Sequence, residues 1–183
     1  MPRQLFRFDP PDRFVAGTVG EPGERTFFLQ ATAGTRIVSV ALEKAQVAVL
    51  AERLDDLLDT VRRSGVAEVP LEAPEELDDR DPLSVPIEEE FRVGAMGLAW
   101  EGIDERVVIE AMAQTEGETE VEPLSDAEEG PDALRVRLTP AMALAFVSRA
   151  ERVVAAGRPP CPLCSLPLDP GGHLCPRHNG YRR

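Results

Sequence analysis

Apolar residues recur along this chain in two rhythms. Residues 5–19 read as strand, Gly20-Glu-Pro-Gly23-Glu24 as a turn, and residues 25–32 as a second strand. Ala33-Gly34 turns the chain into residues 36–42, where Val38, Val40 and Leu42 alternate with period two, the mark of a half-buried strand. From Glu43 to Arg63 the period becomes helical, and Val47, Leu50, Leu54, Leu57, Leu58 and Val61 fall on one stripe. The succession then runs again. Strands are predicted over residues 87–100, 105–114 and 133–138, followed by a helix with Thr139 as N-cap and Pro140 at its first position. Met142, Phe146, Ala150, Val153 and Val154 take its apolar face, and Gly157 with Pro159-Pro160 ends it.

Short matches support an internal repeat. Phe14-Val-Ala-Gly17-Thr-Val-Gly20 has a counterpart in Phe91-Arg-Val-Gly94-Ala-Met-Gly97. Glu24-Arg25 and Glu105-Arg106 each introduce an apolar strand, and Val38, Val40 and Leu42 match Leu134, Val136 and Leu138. The expected fold is α+β: two βββα repeats forming antiparallel sheet covered by two helices, plus a small C-terminal zinc-binding tail. The chain divides into a first half at 1–66, an acidic Pro-rich linker at 67–86, a second half at 87–157 and a tail at 158–183.

Two stretches break the pattern. The linker carries Pro70, Pro74, Pro82 and Pro86 among Glu72, Glu75, Glu76, Asp78, Asp79 and Asp81, and the second half contains the acidic run 115–132. Dense like charges repel while Pro and Gly interrupt ladders, so both are expected to be exposed loops or disordered, with a basic partner as their functional use.

Charge and composition narrow the classes. The 183 residues hold 33 acids against 20 bases, a formal net charge of -13, which argues against sequence-blind binding to nucleic acid. Arg158, Arg177, Arg182 and Arg183 in the tail are too few to reverse this, and nucleic acid is not an expected partner. No run approaches the roughly 18 apolar residues of a membrane span. The opening residues are charged throughout, without the apolar stretch of a signal peptide, so a cytoplasmic protein is expected.

All three cysteines and both histidines lie between Cys161 and His178. An odd, tightly clustered set makes a poor disulfide framework. Cys161, Cys164, His173 and Cys175 stand in C-x2-C-x8-H-x-C spacing, which predicts a tetrahedral Zn²⁺ site with a closed ligand set, structural rather than catalytic. His178 is the alternative to His173. A Cys161–Cys164 redox pair is the competing use, but the motif follows Pro159-Pro160 rather than the strand a thioredoxin-like site requires. A segment this short needs such a metal to fold.

Candidate catalytic groups are sparse. The chain has no G-x-S-x-G elbow, Walker loop or HExxH. Gly17-Thr-Val-Gly20-Glu-Pro-Gly23 leads into a strand, not the helix N-terminus that a phosphate cradle needs. Lys44 is the chain's single lysine, explained equally by coding bias. Together with Arg25 and Arg36 it could bind an anionic or phosphorylated substrate, with Glu88 or Glu90 as acid–base group.

The whole chain resembles an actinobacterial family of conserved proteins with a domain of unknown function. The resemblance rests on Phe8-Asp-Pro-Pro-Asp-Arg-Phe14, on Gly17-x-x-Gly20-x-Pro22-Gly23-x-Arg25 with Phe27-x-Leu29-Gln30, on Glu43-Lys44-x-Gln46, and on the tail from Cys161 to Gly180. It implies His173 rather than His178 as ligand. It also implies a protein partner, a phosphatidylinositol-kinase-like protein being the candidate. The combined expectation is a zinc-binding cytoplasmic adaptor, non-enzymatic, with an enzyme acting on a small anionic substrate as the alternative.

Overall fold

A computed structural model describes residues 2–117, 122–157, 161–165 and 175. Strands β1 (Leu5–Phe8), β2 (Arg13–Val19), β3 (Thr26–Ala33) and β4 (Arg36–Leu42) precede helix α1 (Lys44–Ser64). After a single 3-10 turn at Glu75–Leu77 come β5 (Glu89–Glu101), β6 (Arg106–Ala113), β7 (Ala133–Leu138) and helix α2 (Pro140–Ala155). The seven strands form one sheet in the order β1-β7-β6-β5-β4-β3-β2. The expected N-terminal strand over residues 5–19 is therefore two strands at opposite edges. Pro10 and Pro11 supply no N–H to a ladder, and the chain leaves the sheet there. Nor is the sheet wholly antiparallel: β1 runs parallel to β7, and β4 parallel to β5. The second junction follows from topology, because α1 carries the chain back to the start of the sheet before β5 begins.

The short link between β1 and β2 dictates the shape of the sheet. Six strand spacings would hold the edges of a flat sheet roughly 29 Å apart, whereas residues 9–12 reach across at most about 18 Å. The sheet must curl. Across the gap, Arg36 Nη1 donates to the Arg7 carbonyl at 2.8 Å and its guanidinium lies 4.3 Å from the centre of the Phe8 ring. Both helices fill the concave side. Phe14, Leu29, Val40, Leu54, Leu58, Ile109, Val136, Leu138 and Phe146 belong to one continuous core there, in which Phe14 stacks on Phe146 with centroids 4.7 Å apart.

Helix ends follow the sequence. The Thr139 hydroxyl accepts from the Met142 amide at 3.2 Å, with Pro140 opening α2. At α1 the Gln46 side chain accepts from the Glu43 amide at 2.7 Å, and Gly65 closes the helix in the left-handed region at φ 71.

On the convex side the described parts of the two acidic stretches are loops with most residues exposed, as expected, but anchored at single points. The linker passes from α1 around the β2 edge, where the Asp79 carboxylate accepts from Arg13 Nε at 2.5 Å and from Arg149 Nη1 at 2.8 Å. Arg149, buried on α2, also donates through Nε to the Ala16 carbonyl at 2.8 Å, supplying a partner to the edge strand. Leu83 then packs with Val15, Phe28 and Ala41 on the convex face. A Cβ at Gly17 would meet Leu83 Cδ2 at 2.5 Å, so only glycine admits the crossing. Buried Gln30 ties the linker down by accepting from the Ser84 amide and donating to the Ser84 carbonyl.

In the second acidic run, Pro123 crosses Gly97 in the same way, at 2.8 Å from a Cβ position there. Glu110, fully buried, accepts from Arg135 Nε at 2.7 Å, from Arg3 Nη2 at 3.3 Å and from the Leu124 amide at 3.0 Å. Sequence patterning misses this because each anchor is a single residue whose partners lie in other elements of the chain.

The element order contains two successive runs of three strands and a helix. One residue match within them needs correction, however. Aligning Arg25 with Arg106 sets Phe27, on the concave side, against Val108, which alternates to the convex side. Pairing Phe27 with Val107 and Leu29 with Ile109 keeps both on the concave side.

Two stability predictions follow from the arginine clamps. The Asp79 carboxyl lies below the ordinary carboxylate value, chiefly through the hydrogen bond from Arg13 and, against desolvation, the charges of Arg13 and Arg149. That contribution is complete above an unfolded-state pKa of about 3.9 and is lost as pH falls through the folded value. Asp79→Ala should therefore cost about 2 kcal/mol in urea unfolding at neutral pH, and Asp79→Asn should flatten the loss of stability below about pH 4 relative to the parent. Glu110→Ala strands the buried ends of Arg3 and Arg135. It should cost about 3 kcal/mol, with faster amide exchange across residues 123–132.

Candidate metal centre

The tail brings its three cysteines to one point. Cys161-Pro-Leu-Cys164 forms a turn in which the Ser165 amide donates to the Cys161 carbonyl at 2.8 Å, and Ser165 takes the left-handed region at φ 64. This winding aims backbone amides back at the first sulfur. The Cys161 thiol is pulled down to about 6, first by the Leu163 amide and then by that of Cys164, against desolvation. Contacts with the Cys164 and Cys175 sulfurs act in the same direction. The Cys175 Sγ lies 3.9 Å from that of Cys161. All three sulfurs lie within 4.8 Å of one another, Cys161 and Cys175 buried and Cys164 half-buried. No disulfide joins them. Three convergent soft donors around a turn that favours thiolate could hold a metal ion. His173 and His178, the two candidates for a fourth ligand, lie outside the described residues.

The other candidate residues do not form one site. Lys44, at the start of α1, shares a cavity with Arg25. Arg36 stands at the opposite end of β4, six strand residues from Leu42 and so roughly 20 Å along the sheet. Glu88 and Glu90 are exposed where β5 begins, outside the cavity lined by Lys44. The glycine-rich stretch Gly17–Gly23 ends in the β2–β3 hairpin, with Gly20 at φ 105, and leads into a strand.

A feature the sequence reading did not pick out is a cavity of about 300 Å³ between α2, β2 and the linker. Leu138, Met142 and Phe146 form its apolar floor, while Glu76, Asp79 and Asp81 stand on its rim. Its only sequence signal is the acidic linker itself. Among the described residues, no helix is long and apolar enough to cross a membrane.

The molecule is thus a curled α+β sheet with a cysteine cluster appended through its last helix. It belongs to the family described as protein of unknown function DUF3090, which it matches over residues 6–175. No curated protein and no solved structure matches it.

The geometry predicts a defined metal titration. Cadmium added to metal-stripped, reduced protein should produce thiolate-to-metal charge-transfer absorbance that saturates at a single equivalent. Cys175→Ser should weaken the band and its affinity.

Proposed function

We propose that this is a zinc-binding, non-enzymatic adaptor of the cytoplasm, in which a structural Zn²⁺ ion organises the tail and the body offers a surface to a protein partner. The observation that carries the reading is the spacing of the sulfurs. A tetrahedron with metal–sulfur bonds of about 2.3 Å has an edge of about 3.8 Å, and Cys161 and Cys175 stand 3.9 Å apart. His173 supplies the fourth ligand, with His178 as the alternative.

Four closed ligands leave no open coordination position, and this supports a structural role. The exposure of Glu88 and Glu90 away from Lys44 favours binding over catalysis. Asp79 is held by Arg13 and Arg149 on the same cavity wall, and the remaining acids Glu76 and Asp81 beside an apolar lining suit a basic, partly apolar segment of a partner; the phosphatidylinositol-kinase-like protein implied by the resemblance is the first to assay. We read β2-β3-β4-α1 and β5-β6-β7-α2 as descendants of one duplicated unit, supported by their shared element order.

Elemental analysis of untagged protein, with alkylatable thiols counted before and after chelation, tests the metal. Near-stoichiometric zinc and thiols protected until chelation are expected, both lost in Cys161→Ser. Metal-free protein with freely reacting thiols overturns the reading and turns attention to Cys161 and Cys164 as a redox pair.

A further inference from the structure

In a chain with 33 acids and 20 bases, a cation usually finds a carboxylate, as Arg13, Arg135, Arg137, Arg149 and Arg152 do. Arg25 and Lys44 find none among the described residues, and neither do Arg36, Arg53 and Arg106; Arg25 and Lys44 stand apart in lining one cavity together. A Cβ placed on Gly157 would lie 3.5 Å from Lys44 Nζ and 3.8 Å from Arg25 Nη2, so both cationic ends meet over the same glycine. They border a cavity of about 450 Å³, walled also by Gly23 and Phe27.

The arrangement is built rather than incidental. The Arg25 guanidinium lies over the Phe27 ring, 5.1 Å from its centre, and Nη1 donates to the Ala156 carbonyl at 3.0 Å, which holds Nη2 toward the cavity. Gly157 has no left-handed φ that would demand glycine, so its missing side chain serves to keep the space between the cations open. Two like charges held together repel unless an anion lies between them. One account needs no ligand: the carbonyl end of α2 attracts cations. About half a negative charge at that helix end attracts either cation, but it cannot offset two full positive charges held beside it.

We propose that Arg25 and Lys44 form a binding site for the phosphate group of a small phosphorylated molecule, whose remaining part packs on Val154 and Ala155. A doubly charged oxyanion satisfies the planar donor of Arg25 and the point charge of Lys44 together. The rest of the lining carries no acid, base or nucleophile among the described residues, so the site binds without turnover. The chain's net charge of -13 repels polyanions and selects for a small ligand. This site is independent of the metal and of the adaptor reading.

Inorganic pyrophosphate is the probe, applied to full-length protein at low ionic strength by calorimetry, with sodium chloride at matched ionic strength as control. Because Lys44 is the single lysine, acylation followed by peptide mass spectrometry reports on it alone. Binding with one-to-one stoichiometry is expected. Ligand at about ten times its Kd should slow Lys44 acylation about tenfold. Arg25→Gln and Lys44→Gln should each weaken binding about tenfold or more, while Lys44→Arg retains it. The proposal is overturned if pyrophosphate neither binds nor protects Lys44, or if both glutamine variants bind it as well as the parent. It is equally overturned if the variants only lower the melting temperature of a protein that binds no pyrophosphate, since that outcome leaves helix capping as the whole role.

Discussion

Four residues between β1 and β2 set the form of this molecule. Because they are too few to span the breadth of a flat sheet, the sheet curls until its first and last strands face each other. The curl creates a trough, and the trough needs filling. The apolar stripes of α1 and α2 answer that need, so that residues of both helices and the sheet meet in one main core on the concave side. Interactions such as the Phe14–Phe146 stack are consequences of this closure, since they join an edge strand to a helix lying across the gap.

A curled sheet has a second problem on its outside, where backbone and apolar side chains would face water. The protein covers that face with its most acidic segments, which is an unusual material for a lid. Each crossing is made possible by a glycine, Gly17 under Leu83 and Gly97 under Pro123. Each is secured by a buried polar side chain of the sheet, Gln30 in one half and Glu110 in the other. The excess carboxylates then serve two ends: some hold arginines, and the rest keep the covered surface soluble.

Much of this was legible in the sequence, and the remainder has identifiable reasons for being hidden. The helices announced themselves through period and caps, with Thr139 and Pro140 the clearest boundary. The cysteine cluster was legible because Cys161 and Cys164 sit in one turn and the spacing to Cys175 is short. The break at Asp9–Asp12 was legible in Pro10-Pro11, though not that it sends the two strands to opposite edges, and parallel pairing of β1 with β7 has no local signal at all. The acidic stretches looked unstructured because charge density dominates their composition, while order depends on Asp79, Leu83 and Leu124 meeting partners from remote elements. Of Arg25, Arg36 and Lys44, which charge alone groups together, two line one cavity. Only the strand register separates Arg36 from the others.

The parallel seating of β1 beside β7 also has a consequence for synthesis. Gln4 and its partner Asp132 are separated by 128 positions in the chain. At translation rates of about 5–20 residues per second, the first strand waits roughly 6–25 seconds for the element that completes its ladder. During that interval β2, β3, β4 and α1 are all made, so β1 stays without its ladder partner until β7 is synthesised. Closure of the curl is therefore a late event of biogenesis, and it comes only when the last strand is made.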